Sequence, residues 1–137
     1  MTRTLSRSRL YVEPLEDRLA PTADMVIQWN DFVRDAIRTA NTSANMGSRI
    51  LAITQAAVYD SVNALDRTHE VYLIDALAHP GASREAAVAA AAHRALLTFY
   101  PAQAAALDAK LTASLATIPD GKSEDDGMAL GRSVAEQ

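Results

Sequence analysis

The residues of this chain best equipped for metal or proton chemistry are three histidines, His69, His79 and His93, scattered along it. A metal site on a helix needs two ligands on one face, which means a spacing of three or four residues. None of the three is followed at that spacing by another histidine or by a carboxylate. His69-Glu70 opens like the helical zinc-hydrolase signature, but that motif continues through two residues to a second histidine, and here Leu73 stands in its place after Val71-Tyr72. His93 falls in an alanine-rich helical stretch, where a hydrogen-bonded structural role is the expectation. The sequence has no cysteine, which excludes thiolate ligands, thiol nucleophiles and disulfides.

Two stretches look like ligand loops and fail for physical reasons. Gly121-Lys122-Ser123 matches the end of a phosphate-binding loop, but Ala116 stands where the first glycine of that loop is required. Without that glycine the backbone does not curl its N–H groups around phosphate. The acidic run from Asp120 to Asp126 has Lys122 at a calcium-ligand position and Asp125 at the position of the turn glycine. A capped, acid-rich helix start accounts for every residue of the run. Gly127-x-x-x-Gly131 sits in a polar setting, so it reads as a close crossing of helices in water, not as a membrane dimer motif. Asn41-Thr42-Ser43 fits a glycosylation sequon, and no Gly-x-Ser-x-Gly elbow is present.

One polar group stands out. Gln55, Tyr59 and Asn63 recur at i+4 within an otherwise apolar helical stretch, with Asp60 and Ser61 beside them. Buried polar groups require partners, so this stripe faces either a hydrogen-bond network or a site. An interhelical network that fixes packing is the expectation; the alternative for Asp60 is a pair with Arg49 or Arg94.

The elements that carry these residues are helical. At 137 residues the chain has room for one domain. Residues 1–22 read as a separate leader or tail, with Arg3, Arg7 and Arg9 among Ser and Thr and with Pro14 and Pro21 as punctuation. From Ala23, apolar residues at Val26, Trp29, Val33, Ala36, Ile37 and Ala40 keep a helical period. Thr22 or Asp24 is the expected cap, and Asn41-Thr42-Ser43 the stop. A second helix spans Asn45 to Leu65 and is apolar nearly all round, which predicts a central, buried position. Residues 66–82 lack the period and read as an extended loop wrapped over the helices. Ser83 caps a third helix from Arg84 to Phe99, Pro101 opens a fourth over 101–117 with a Leu107, Leu111 and Leu115 stripe, and Ser123 caps a fifth. That last helix reaches Gln137 without a stop signal, which suggests a truncated chain. The fold class expected is all-α: a bundle of about five helices, an incomplete half of a larger α-helical domain.

Composition agrees and narrows the partners. Although 49% of residues are apolar, 28 are alanine, and each buried alanine removes little area from water. A thin core follows, which something else would complete. Net charge is −4: residues 23–137 hold nine Lys/Arg against fourteen Asp/Glu, and residues 1–22 hold four Arg against three acids. No basic face for nucleic acid is visible, and no apolar stretch is long enough to span a bilayer.

Several segments resemble a known family. Trp29-Asn30-Asp31 and then Ile53-Thr54-Gln55-Ala56-Ala57-Val58-Tyr59-Asp60-Ser61-Val62-Asn63-Ala64 resemble the "WND … HAAVYDAVNAI" region of vanadium-dependent haloperoxidase-like proteins, of the type 2 phosphatidic acid phosphatase superfamily. Pro80-Gly81-Ala82-Ser83, Ala89 to Arg94, Tyr100-Pro101-Ala102-Gln103, Ile118-Pro119-Asp120-Gly121 and Gly127-x-x-Leu130-Gly131 are similar to the same family's following segments, in order, over residues 26–137. Gln55 departs from it, the family often having His there. The resemblance implies an α-helical bundle that holds vanadate, or phosphate in the phosphatases, through Lys, Arg and His. Those residues belong to Lys-x6-Arg-Pro, Pro-Ser-Gly-His and Ser-Arg-x5-His-x3-Asp motifs of the C-terminal half, and none of the three motifs occurs here.

No catalytic, cofactor-binding or metal-ligating residue is therefore assigned within the chain, and vanadate is implied only for the full-length family. The resemblance makes the chain a non-catalytic N-terminal helical part, inactive without its C-terminal half, which would be its partner. The alternative is a free-standing, self-associating helical interaction module with no enzymatic activity. Val12 to Thr22 resembles a short "LEDRLAP(S/T)" leader of large exported or surface proteins in one group of bacteria, which implies export.

Overall fold

The computed structural model describes residues 21–137, with side chains from Met25 onward. The leader-like segment lies outside the described residues except for its last two positions, which are already helical. Five α-helices and one 3-10 turn follow in order: α1 (Pro21–Thr39), α2 (Ala44–Asp66), α3 (Arg84–Phe99), the turn Pro101–Gln103, α4 (Ala104–Leu115) and α5 (Lys122–Glu136). No strand occurs among the described residues. The all-α helical bundle read from the sequence is thus the observed fold. Pro21 opens α1, a position where its missing N–H costs nothing. Thr22 and Asp24 lie inside that helix and not at its cap.

The centre of the bundle is α3, which packs against each of the other four helices. Ala86 through Ala92 are all fully buried. This corrects the sequence expectation that α2 is central: Ala52, Ile53 and Tyr59 of α2 are exposed. The reason is geometric. Hydropathy places α2 first, but the distance between helix axes depends on side-chain size, and a run of alanine lets neighbours close in from every side. Larger side chains then fill the outer shell around α3. Trp29 and Val33 of α1, Ile50 and Val58 of α2, and Leu107 and Leu111 of α4 form one cluster with Val88 and Leu96. Each fully buried side chain of this size contributes about 1.5–3 kcal/mol.

The closest approach is between α3 and α5. A Cβ added at Gly131 would stand 2.2 Å from the Ala87 carbonyl oxygen and 2.8 Å from the Ala91 amide nitrogen. One added at Gly127 would stand 2.3 Å from the Ser83 carbonyl oxygen. The obstacles are backbone atoms, which do not swing aside. The Gly127-x-x-x-Gly131 pair is therefore what lets the two backbones touch, as its polar setting predicts.

Helix ends are tied by specific polar contacts. The Ser83 hydroxyl accepts the Ala86 N–H at 3.2 Å, the cap expected for α3. Ser123, by contrast, is not the cap of α5: that helix starts at Lys122 with Gly121 before it, at φ 141°. Ser123 instead joins the two helix starts, its hydroxyl donating to the Gly81 carbonyl at 2.6 Å and its own carbonyl accepting the Ser83 N–H at 2.8 Å. At the far end of α3, Tyr100 meets the Thr42 hydroxyl at 2.9 Å, and Gln103 donates to the Ala36 carbonyl at 3.0 Å. These contacts close the corner where α1 ends. Among the described residues no helix is long and apolar enough to cross a membrane.

Candidate functional site

The polar stripe of α2 is the most organised constellation in the molecule. Its positions i, i+1 and i+4 at Tyr59, Asp60 and Asn63 point toward the long connection between α2 and α3, residues 67–83. Asp60 is 2% exposed. Its carboxylate accepts three consecutive backbone N–H groups, from Tyr72 at 2.9 Å, Leu73 at 2.9 Å and Ile74 at 2.8 Å. Hydrogen bonds to a charged group contribute about 1.5–3 kcal/mol each, so these bonds balance the desolvation of the buried anion. Neither Arg49 nor Arg94 takes the part of partner that charge alone suggests. Amide dipoles do so instead.

Asn63 holds the start of the same segment from both sides, its amide donating to the His69 carbonyl at 2.9 Å and its oxygen accepting the His69 N–H at 3.1 Å. The Tyr59 hydroxyl donates to the Glu70 carbonyl at 2.9 Å, and its ring meets Tyr72 edge-on, 6.4 Å between centres. Gln55 alone of the stripe reaches another helix, donating to the Asn30 side chain of α1. The network expected between helices is thus mainly a network between one helix and a loop. The α2 half of this network is legible in the sequence and the loop half is not, because backbone N–H groups carry no residue signature.

Beside this clasp lies an open groove of about 540 Å³. Ala52, Ile53 and Ala56 of α2, Leu73 of the loop, Phe99 of α3 and Val134 of α5 line it. Its polar edge is an ion pair between Arg94 and Glu136 at 3.1 Å. Tyr72 and Leu73 are 73% and 70% exposed, and Ile53 and Tyr59 also reach solvent. Scattered apolar residues on a surface need no explanation, but a contiguous set around a groove marks a contact surface.

The histidines do not converge. His69 and His79 lie exposed on the long connection, while His93 is buried in α3. His93 Nε2 stands 2.8 Å from an Asp108 carboxylate oxygen of α4, and Trp29 packs edge-on against its ring. That is the structural role expected of it. Among the described residues no group of three or more His, Asp or Glu is arranged to hold a metal ion.

Among the described residues the cations are equally dispersed. Arg34 pairs with Asp31, Arg38 with Asp35, Arg67 with Asp75, Arg84 with Asp66 and Lys122 with Asp126. Lys110 lies over the Phe32 ring, 3.8 Å from its centre. A tetrahedral oxyanion needs several convergent cationic donors, and the described residues do not fit one. No family model, curated protein or solved structure matches this chain.

Proposed function

We propose that this chain is the N-terminal helical part of a vanadium-dependent haloperoxidase-like protein, a scaffold that packs against a second helical half and forms part of the wall along the substrate's approach. One observation carries the reading. The longest block of resemblance, Ile53 to Ala64, lies on α2, and that helix has a finished face and an unfinished one. Inward, Thr54, Val58, Asp60 and Ser61 are buried and build the bundle. Outward, Ala52 and Ile53 stand open at the groove. Such an open apolar face suits a helix that continues its packing onto another body. The oxyanion chemistry would belong to that second half, and no step of it is routed through residues of this one.

Two measurements test the proposal. With vanadate, bromide and hydrogen peroxide the isolated chain is expected to give no halide oxidation; turnover by this chain alone would overturn the division of labour. Reading the gene and its neighbourhood for Lys-x6-Arg-Pro, Pro-Ser-Gly-His and Ser-Arg-x5-His-x3-Asp is expected to find them downstream. Their absence would remove the assignment. Size-exclusion chromatography with thermal melting addresses the competing interaction module, for which a cooperatively melting homo-oligomer is the signature.

A further inference from the structure

We propose that residues 67–82 form a lid over the groove between α2, α3 and the end of α5, opening as a unit from fixed feet, with Asp60 as its clasp. The connection from the end of α2 to the start of α3 contains no regular structure. Loops longer than about 12–15 residues with no secondary structure are uncommon in compact domains, and lids are among their usual roles. Here the two feet are tied together. Asp66 at the end of α2 pairs with Arg84 at the start of α3. The Gly81 foot is fixed to α5 through Ser123. Backbone pivots lie at the feet themselves: Arg67, next to Asp66, is left-handed at φ 47°, and Gly81 has φ 82°.

Between the feet, the segment is attached by polar bonds more than by apolar burial. Val71, Tyr72, Leu73 and Leu77 point to solvent. Ile74, Ala76 and Ala78 are only half-buried, against the small cluster of Ala87, Leu130 and Val134. Few buried contacts and bonded amides near the surface are the marks of a unit that opens well below the global unfolding free energy. Asp60 is the one fully buried side chain of the clasp, and it bonds the same three residues, Tyr72 to Ile74, that form the lid's side of the groove. Breaking those three bonds frees the wall of the groove and uncovers the small cluster beneath.

Hydrogen exchange resolved by residue tests this in the intact chain. In the wild type, the Tyr72–Ile74 amides are expected to exchange about tenfold or more faster than those of Ala89–Ala92, by an opening that leaves α3 protected. Exchange of both segments in a single step would overturn the lid. In Asp60→Asn, one acceptor oxygen becomes a donor facing N–H groups, and protection of Tyr72–Ile74 is expected to fall by about tenfold or more. Fluorescence of 8-anilinonaphthalene-1-sulfonate should rise as apolar surface is uncovered. Unchanged protection at these amides would remove Asp60 as the clasp. If Asp60→Asn does not fold, Asn63→Ala serves in its place: it frees the His69 end, and faster exchange confined to 67–82 is the result expected. Acceleration that spreads into α3 would again count against a separate unit.

Discussion

The α3–α5 seam and the outer face of α2 draw on similar small residues, and they end in opposite states. In the seam, Gly127 and Gly131 bring backbone against backbone, with no room for a Cβ at either position. On α2, Ala52 and Ala56 are small too, though each carries the Cβ that the two glycines lack, and they border a groove. What differs is the opposing partner. The seam has a second helix whose small residues repeat at the matching interval. The α2 face has a loop that presents its backbone inward, to Asp60, and its apolar side chains outward. Small residues permit close packing, but only a partner with the same period uses the permission.

That contrast can be broken most forcefully at the seam. Gly131→Ala places a methyl group against two backbone atoms of α3. A loss of about 3 kcal/mol is expected in urea denaturation. A neutral result would mean that the helices separate freely and that the seam is no tighter than the α2 face. A smaller effect is expected at the shared start of the two helices. Ser83→Ala removes the cap of α3 and should cost about 1 kcal/mol, read as a lower denaturation midpoint with an unchanged slope. The smallest belongs to the open side. Leu73 lines the groove and is 70% exposed, so Leu73→Ser should leave stability within about 0.5 kcal/mol of wild type. A large loss there would show that the outer face is already packed in solution.

Much of the bundle was legible because its signals are local. Ser83 followed by an alanine run predicts α3 from Arg84 to Phe99, and the helix has those bounds. The Gly127 and Gly131 interval predicts the close crossing. The rank order of burial was not legible, because it depends on which helices meet. Hydropathy favours Ile50-Leu51-Ala52-Ile53, whereas approach distance favours Ala89 to Ala92. Ser123 misleads for a related reason: its type and its place before an acidic turn suit a cap, but its hydroxyl is claimed by the Gly81 carbonyl of the neighbouring segment. The stripe at Gln55, Tyr59, Asp60 and Asn63 was visible as a demand for partners. Its partners were hidden, since any extended segment offers the same amides and only the fold selects Tyr72 to Ile74.

The alanine run of α3 also bears on how this chain can vary. A single-nucleotide change in an alanine codon gives valine, threonine, serine, proline, aspartate, glutamate or glycine. Of these only glycine is smaller than alanine, and glycine in a helix interior costs about 1 kcal/mol. With Ala86 through Ala92 closed on all sides, nearly every accessible substitution there is an overpacking or a buried polar group. The α2 face and the lid carry no such restriction. Substitution is therefore tolerated far better on the surface around the groove than in the alanine centre of the bundle.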